Sequence, residues 1–216
     1  MKESAKGFLR NARQAVVVTT VLMLLCGLLF PALLTGLSSL LFPHQANGSL
    51  IEADGKPVAA QNVGQDFVTD YFIWGRPSAY HYNEDGTQTY RDGSAFPGVG
   101  SGSANLAPSN PQLVQRVQAD IEAFLEKNPQ VSRQDIPTDL LTASGSGLDP
   151  HISPASAELQ VPRIAKASGL SQETVREMIQ ENTQGKLLGV FGADTVNVVG
   201  VNIAIAQEMG LIGSRS

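Results

Sequence analysis

The chain has 216 residues, of which 42% are hydrophobic, with a formal net charge of −5 and one cysteine. An acidic balance excludes nucleic acid, which selects Lys and Arg, as the expected partner, and a single cysteine excludes an intramolecular disulfide. Val, Ile, Leu and Phe recur throughout, which excludes a disordered chain.

Residues 1–14 form a basic flank in which Lys2, Lys6, Arg10 and Arg13 face only Glu3. Eleven of the 15 basic and 19 of the 20 acidic residues then follow, a net charge of −8 beyond Arg13. Residues 15–42, AVVVTTVLMLLCGLLFPALLTGLSSLLF, carry no charge. About 20 apolar residues suffice to cross a bilayer as a helix, and backbone groups in lipid must bond within that helix. The flank places the N-terminus in the cytoplasm by the positive-inside rule, with the rest of the chain periplasmic or extracellular. A cleaved signal peptide is the competing reading, but its apolar region is about half as long. Leu25 before Cys26 also lacks the small residue of a lipoprotein cleavage site. The run is therefore read as an uncleaved anchor in membrane lipid, and both readings export the same domain.

Pro31 inside the run removes a helical hydrogen bond and predicts a kink. Ala32, Gly36 and Ser39 fall on one helix face, a small-residue stripe for packing against another membrane helix. Cys26 reads as a small apolar helix residue. Residues 43–216 are expected to form one soluble domain, with 43–64 a polar, linker-like start punctuated by Gly48, Gly55 and Pro57. Asn47-Gly48-Ser49 matches a glycosylation acceptor, a triplet common by chance. Residues 66–74, DFVTDYFIW, read as a strand or a short helix followed by one. Residues 80–107 lack an apolar period and predict a long loop that is functional or docked.

Asn110-Pro111 predicts a helix start, with Leu113, Val117, Ile121, Phe124 and Leu125 at helical spacing up to Asn128-Pro129. Ser153-Pro154 starts a second helix to about Ala167, interrupted at Pro162, and Ser171 a third that closes near Gly185. A strand is expected over 187–191 and a helix from about Asn197. The fold class is therefore α+β: a single N-terminal transmembrane helix followed by one mixed α/β extracytoplasmic domain.

Residues 140–154, LLTASGSGLDPHISP, concentrate the candidate chemistry in Thr142, Ser144, Gly145, Ser146, Gly147, Asp149, His151 and Ser153. A Ser/His/Asp hydrolase is the tempting reading. A triad draws its members from separated elements, however, and no G-x-S-x-G elbow is present. Three histidines, one beside the membrane run, give no metal site. The loop is read as a glycine-rich docking turn with no catalytic residue, in which Asp149 and Ser153 bond to local backbone.

The stretch from Thr142 to Pro154 closely resembles the hallmark of the C subunit of the bacterial Kdp potassium-transporting ATPase. The likeness extends to Gly48-Ser49-Leu50-Ile51, Tyr71-Phe72, Gly75-Arg76-Pro77-Ser78, residues 101–106 and 108–111, Val196-Asn197-Val198 and Val201-Asn202-Ile203-Ala204. Ala107 stands where that family carries glycine, and Leu141 where valine is usual. The resemblance implies an accessory subunit in the bacterial inner membrane. Its partners would be a potassium-selective channel-like subunit, a P-type ATPase subunit phosphorylated on aspartate, and a small single-helix subunit. It implies a catalytic chaperone that raises the ATP affinity of the ATPase subunit, with residues 142–153 as a docking or nucleotide-linked loop and no cofactor of its own. Neither an Asp-Lys-Thr-Gly motif nor a G-x-x-x-x-G-K-[ST] loop is present. The basic flank puts the domain opposite cytoplasmic ATP, so the ATP effect is expected to travel through the membrane helix and partner subunits. The alternatives are a membrane-anchored extracytoplasmic hydrolase using Ser144 or Ser146 with His151, and a solute-binding domain built on residues 80–108.

Overall fold

The uncharged run is helical, as its apolar side chains and lack of internal breakers before Pro31 require. In the computed structural model, which describes residues 2–83, 88–89, 95–96 and 99–213, α1 (Lys2–Leu24) leads through a π-helical turn (Leu25–Leu29) into α2 (Phe30–Leu41). The disturbance expected at Pro31 takes the form of this π turn, in which Phe30 N–H donates to the Leu25 carbonyl. Proline cannot donate one turn back, and shifting the pairing by one residue accommodates the loss. Residues 7–41 make a continuous apolar helix of 35 residues, long enough to cross a bilayer. A single turn, α3 (Pro43–Ala46), follows, and the unit ends at Ser49.

The second unit spans Leu50–Ser216. The segment expected to be linker-like opens it with a hairpin of β1 (Leu50–Ala53) and β2 (Lys56–Ala60), Ala53 opposite Lys56. Asp54 and Gly55 form the two-residue turn with φ of 51° and 70°. Such turns match strand twist when both residues are left-handed, which makes Asp-Gly a hairpin signal. β3 (Gln88–Thr89) pairs antiparallel with β4 (Ala95–Phe96) within the expected loop. The rest of residues 84–98, the side chains of Lys2 and Lys6, and residues 214–216 lie outside the described structure.

Asn110 caps α4 (Pro111–Lys127) by accepting from Gln112 N–H, as its sequence predicts. The expected second helix is two: β5 (His151–Ile152) leads into α5 (Pro154–Glu158), and α6 (Val161–Ser168) follows, with Pro162 in its first turn. The chain thus breaks before the proline, because the ring is tolerated only where no N–H partner is needed. Ser171 caps α7 (Gln172–Glu181), which stops short of Gly185 because β6 (Thr183–Gln184) joins a sheet. The central strand of that sheet is β7 (Thr195–Asn197), antiparallel to β5 on one side and β6 on the other. Asn197 caps α8 (Val198–Glu208). The strand expected over 187–191 is instead a tight turn closed by one bridge between Leu187 and Phe191.

α8 buries seven of its 11 residues, so it is the central helix of the unit. Val201 and Ile205 meet Ile164, Val175, Ile121 and Phe124 in the main core, while Val199 and Ile203 pack under the hairpin with Ile51 and Ala59. Residues 66–74 are neither strand nor helix, although Ile73 is fully buried. Its backbone is paired by side chains. Asn202 accepts from Ile73 N–H at 2.8 Å and donates to the Ile73 carbonyl at 2.9 Å. Gln160 does the same to Trp74 at 2.8 and 3.1 Å. Arg163 donates to the carbonyls of Asp70 and Phe72.

Asn202→Leu keeps the volume but orphans both Ile73 backbone groups, and each unsatisfied buried group costs roughly 1–3 kcal/mol. Denaturant unfolding of the full chain in mild detergent is expected to show a loss of about 2–4 kcal/mol. Wild-type stability in that variant would exclude a structural role for the amide.

Candidate functional site

The loop singled out by its glycines lies against residues 75–83 and 100–102. Trp74 is fixed by Gln160, so the next residues leave the core at a set position and present Arg76 to the loop. The Arg76 guanidinium donates through Nε to the Thr142 carbonyl at 3.1 Å and through Nη1 to Asp149 Oδ2 at 3.2 Å. A longer contact of 3.5 Å joins Nη2 to the Ala143 carbonyl. Arginine suits this position because its planar fork can serve several acceptors at once.

Ser78 supplies the second support. Its hydroxyl donates to the Gly147 carbonyl at 2.7 Å and accepts from the N–H groups of Tyr80 and Tyr82. The chain then turns through His81, Tyr82 and Asn83, all left-handed, with φ of 43°, 50° and 66°. Such a run of non-glycine residues costs conformational energy and persists only where neighbours hold it. Asn83 accepts from Gly100 N–H at 2.8 Å and donates to its carbonyl at 3.1 Å, while Tyr82 O–H donates to the Arg76 carbonyl at 2.7 Å.

A third support is backbone. Gly102 N–H donates to the Ser146 carbonyl at 2.6 Å, and Gly64 N–H to the Leu148 carbonyl at 2.8 Å. Gly147 has φ of 68°, and a Cβ there would meet the Gly102 carbonyl oxygen at 2.4 Å. Glycine is required both for the conformation and for the approach. Gly145 has open space around it.

The remaining candidates make local bonds. Thr142 donates to the Thr138 carbonyl, and the Ser144 and Ser146 hydroxyls lie 3.3 Å apart. Ser146 Oγ accepts from Leu148 N–H. His151 places its N–H and Nδ1 each 3.0 Å from Asp149 Oδ1. Ser153 caps α5 and, with Ser156, donates to Asp139, a carboxylate that local sequence patterns did not single out. The serine hydroxyls and His151 thus have different hydrogen-bond partners and form no nucleophile–base pair among the described bonds. Among the described residues no three His, Cys, Asp or Glu side chains converge where a metal ion could bind.

Two clefts flank the loop. One of about 290 Å³ is lined by Asp66, Phe67, Trp74, Arg76, Tyr82 and Asp120. The other, of about 470 Å³, is lined by Ser78, Asn105, Leu106, Arg116 and Thr142 among others. Arg116 is bound to Asp120 and donates to the Leu141 carbonyl at 2.9 Å. Burial pushes the Asp120 carboxyl up, and Arg116 opposes this. Both arginines beside the loop are therefore engaged by protein groups. Burial, reinforced by Asp66 and Asp149 and opposed by Arg76, pushes the Tyr82 hydroxyl up to about 12. In the other unit, Ala32, Gly36 and Ser39 lie along α2, and Gly36 has open space around it. Tyr82 fell within the long loop without being singled out, and Arg76 and Ser78 are site residues that motif reasoning treated only as parts of a likeness. Their signal, an Arg-Pro-Ser placed just after a buried aromatic run, is readable only once that run is known to be in the core.

The chain matches the family model described as KdpC: K+-transporting ATPase, c chain, over residues 12–207. It is 51% identical over 212 residues to the potassium-transporting ATPase KdpC subunit of Clostridium kluyveri, covering 96% of this chain and 99% of the relative. The corresponding subunit of Clostridioides difficile is 49% identical over 208 residues, covering 94% and 100%. That of Bradyrhizobium diazoefficiens is 41% identical over 197 residues, covering 91% and 96%.

Gly147→Val is expected to unfold the loop or abolish recovery of folded chain, whereas Gly145→Ala is expected to stay within about 0.5 kcal/mol of wild type. Thermal melts of the two purified variants test this, and equal melts would remove the argument from the Gly102 approach. A second measurement uses pH. Tyr82 deprotonates near pH 10 in the unfolded chain and near 12 in the folded one. Between those values the unfolded chain binds fewer protons, so stability falls as pH rises, by up to roughly 1.4 kcal/mol per pH unit. Tyr82→Phe is expected to remove that part of the alkaline slope.

Proposed function

The chain belongs to the KdpC family and is a subunit of a potassium-transporting ATPase complex, and on that premise we propose that it is a non-catalytic, membrane-anchored accessory subunit of high-affinity potassium uptake. It assembles or stabilises the channel-like and ATPase subunits together with a small single-helix subunit. The observation that carries this reading is the commitment of the loop's polar groups. Arg76 serves Thr142, Ala143 and Asp149, and His151 bonds to Asp149. A hydrolase needs a base within reach of its nucleophile, and the described bonds of Ser144, Ser146 and His151 support docking over catalysis. The described ends of the 80–108 loop are likewise committed to protein groups, Asn83 to Gly100 and Gly102 to Ser146, which disfavours the solute-binding alternative.

The anchor is the 35-residue helix, and Arg10 and Arg13 near its start favour a cytoplasmic N-terminus with Leu50–Ser216 outside. In that orientation the domain does not meet cytoplasmic ATP. The chaperone effect on the ATPase subunit's ATP affinity is then a coupling free energy transmitted through the anchor and the partner subunits. A small-residue face at Ala32, Gly36 and Ser39 suits the close helix approach that such transmission needs.

Full-length chain purified with its partners in mild detergent is expected to retain potassium-stimulated ATP hydrolysis when it carries His151→Ala. Loss of turnover in an intact complex would assign chemistry to the loop. Topology is tested in the Cys26→Ala background with an impermeant thiol reagent on intact cells, the outer membrane permeabilised where there is one. Glu126→Cys, on an exposed position of α4, is expected to label, and Ser4→Cys to be spared. The reverse pattern would put the domain beside ATP and favour direct nucleotide contact.

A further inference from the structure

Outside the membrane-spanning helix, the largest break among the described residues with the rule that apolar runs are buried lies at residues 187–191. Leu187, Leu188, Val190 and Phe191 are 69%, 83%, 74% and 64% exposed. Four large side chains on one short turn form a patch, unlike the single exposed apolar residues that any surface carries. The turn is ordered. Leu187 and Phe191 exchange backbone hydrogen bonds of 2.9 and 3.0 Å, Gly189 N–H donates to the Lys186 carbonyl, and Lys186 N–H donates to Asp194. Leu188 is held at φ 54°, a conformation a branched side chain seldom adopts. Strain maintained in an exposed apolar residue by surrounding bonds suggests that the position is constrained by what it contacts.

We infer that this tip is a docking knob that inserts into an uncharged, apolar pocket on another protein subunit of the transporter. The inference rests on the reading of the chain as a subunit that works through its partners. Three kinds of occupant compete, and two fit poorly. A lipid surface selects Trp and Tyr at the interface and Lys or Arg against anionic headgroups. The tip has neither aromatic type, and its one cation, Lys186, is matched by Asp194 in a chain that is acidic beyond Arg13. A second copy would bring two five-residue tips together, and four large side chains from each fall well short of the roughly 20–30 residues a side that a stable interface uses. A concave partner surface encloses all four side chains, and the preorganised turn keeps the entropy cost of docking small.

A benzophenone photocrosslinker in place of Phe191, in full-length chain produced together with the other subunits, is expected to give an adduct with one of them, identified by mass. Leu188→Asn combined with Phe191→Ser is expected to lower recovery of the other subunits at least tenfold after washing in mild detergent. Asparagine tolerates the left-handed conformation, so the thermal melt of the isolated chain is expected to stay unchanged and to separate a docking defect from misfolding. Unchanged recovery with the double variant, or an adduct with lipid or with a second copy only, overturns the knob and leaves the accessory reading intact. If wild-type chain recovers no other subunit at all, the accessory reading itself fails, and the knob with it.

Discussion

A short stretch of irregular chain with no strand beside it governs the architecture of the second unit. Residues 70–74 run through the core, and peptide groups buried there need partners that water cannot provide. α8 supplies the amide of Asn202, Gln160 before α6 supplies another, and Arg163 within α6 reaches two carbonyls. Each amide pairs with both the N–H and the C=O of one residue, as a neighbouring strand would. The Arg163 guanidinium also lies 4.2 Å from the Trp74 ring centre and bonds to Asn128 and Gln160. It has no carboxylate in contact among the described ion pairs. Burial lowers its pKa to about 10, opposed by Asp70, so dipoles and an aromatic face hold a cation that the core would otherwise disfavour.

This clamp also sets the glycine-rich loop. Once Ile73 and Trp74 are fixed, Arg76 and Ser78 emerge at one place and point their donors at residues 142–149. The left-handed turn at 81–83 closes back on them through Tyr82 and Asn83. Support therefore runs from the core outward, from Asn202 and Gln160 through Arg76 to the loop. An arrangement whose donors and acceptors are consumed internally is stiff and presents a shape. That is the property wanted of a contact surface, whereas a catalytic site keeps a nucleophile and base poised for an incoming substrate.

The apolar tip at 187–191 is the complementary feature, since there the side chains are left unsatisfied while the backbone is paired. In isolation such a patch is an aggregation liability. The docking inferred for it would give it a use, because a chain that works through partners gains affinity from surface that it cannot bury by itself.

Features carried by contiguous patterns were legible in the sequence. The apolar run, the basic flank and the helix starts at Asn110, Ser153, Ser171 and Asn197 depend on neighbouring residues only, and each helix begins where its cap stands. Asp54-Gly55 was equally local and signalled the hairpin that composition alone presented as linker. The hallmark loop carried the family resemblance, and the glycine that its close approach requires, Gly147, lay within it. What the chain's order could not disclose was which apolar runs meet each other. Residues 66–74 and 187–191 are similar in hydrophobic content, yet Ile73 is sealed in the core and Leu188 faces outward. Only tertiary structure decided that, because burial depends on elements more than 80 residues apart meeting around α8. The same long-range meeting turned Gln160, Asn202 and Arg163 from ordinary helix residues into the partners of an unpaired chain.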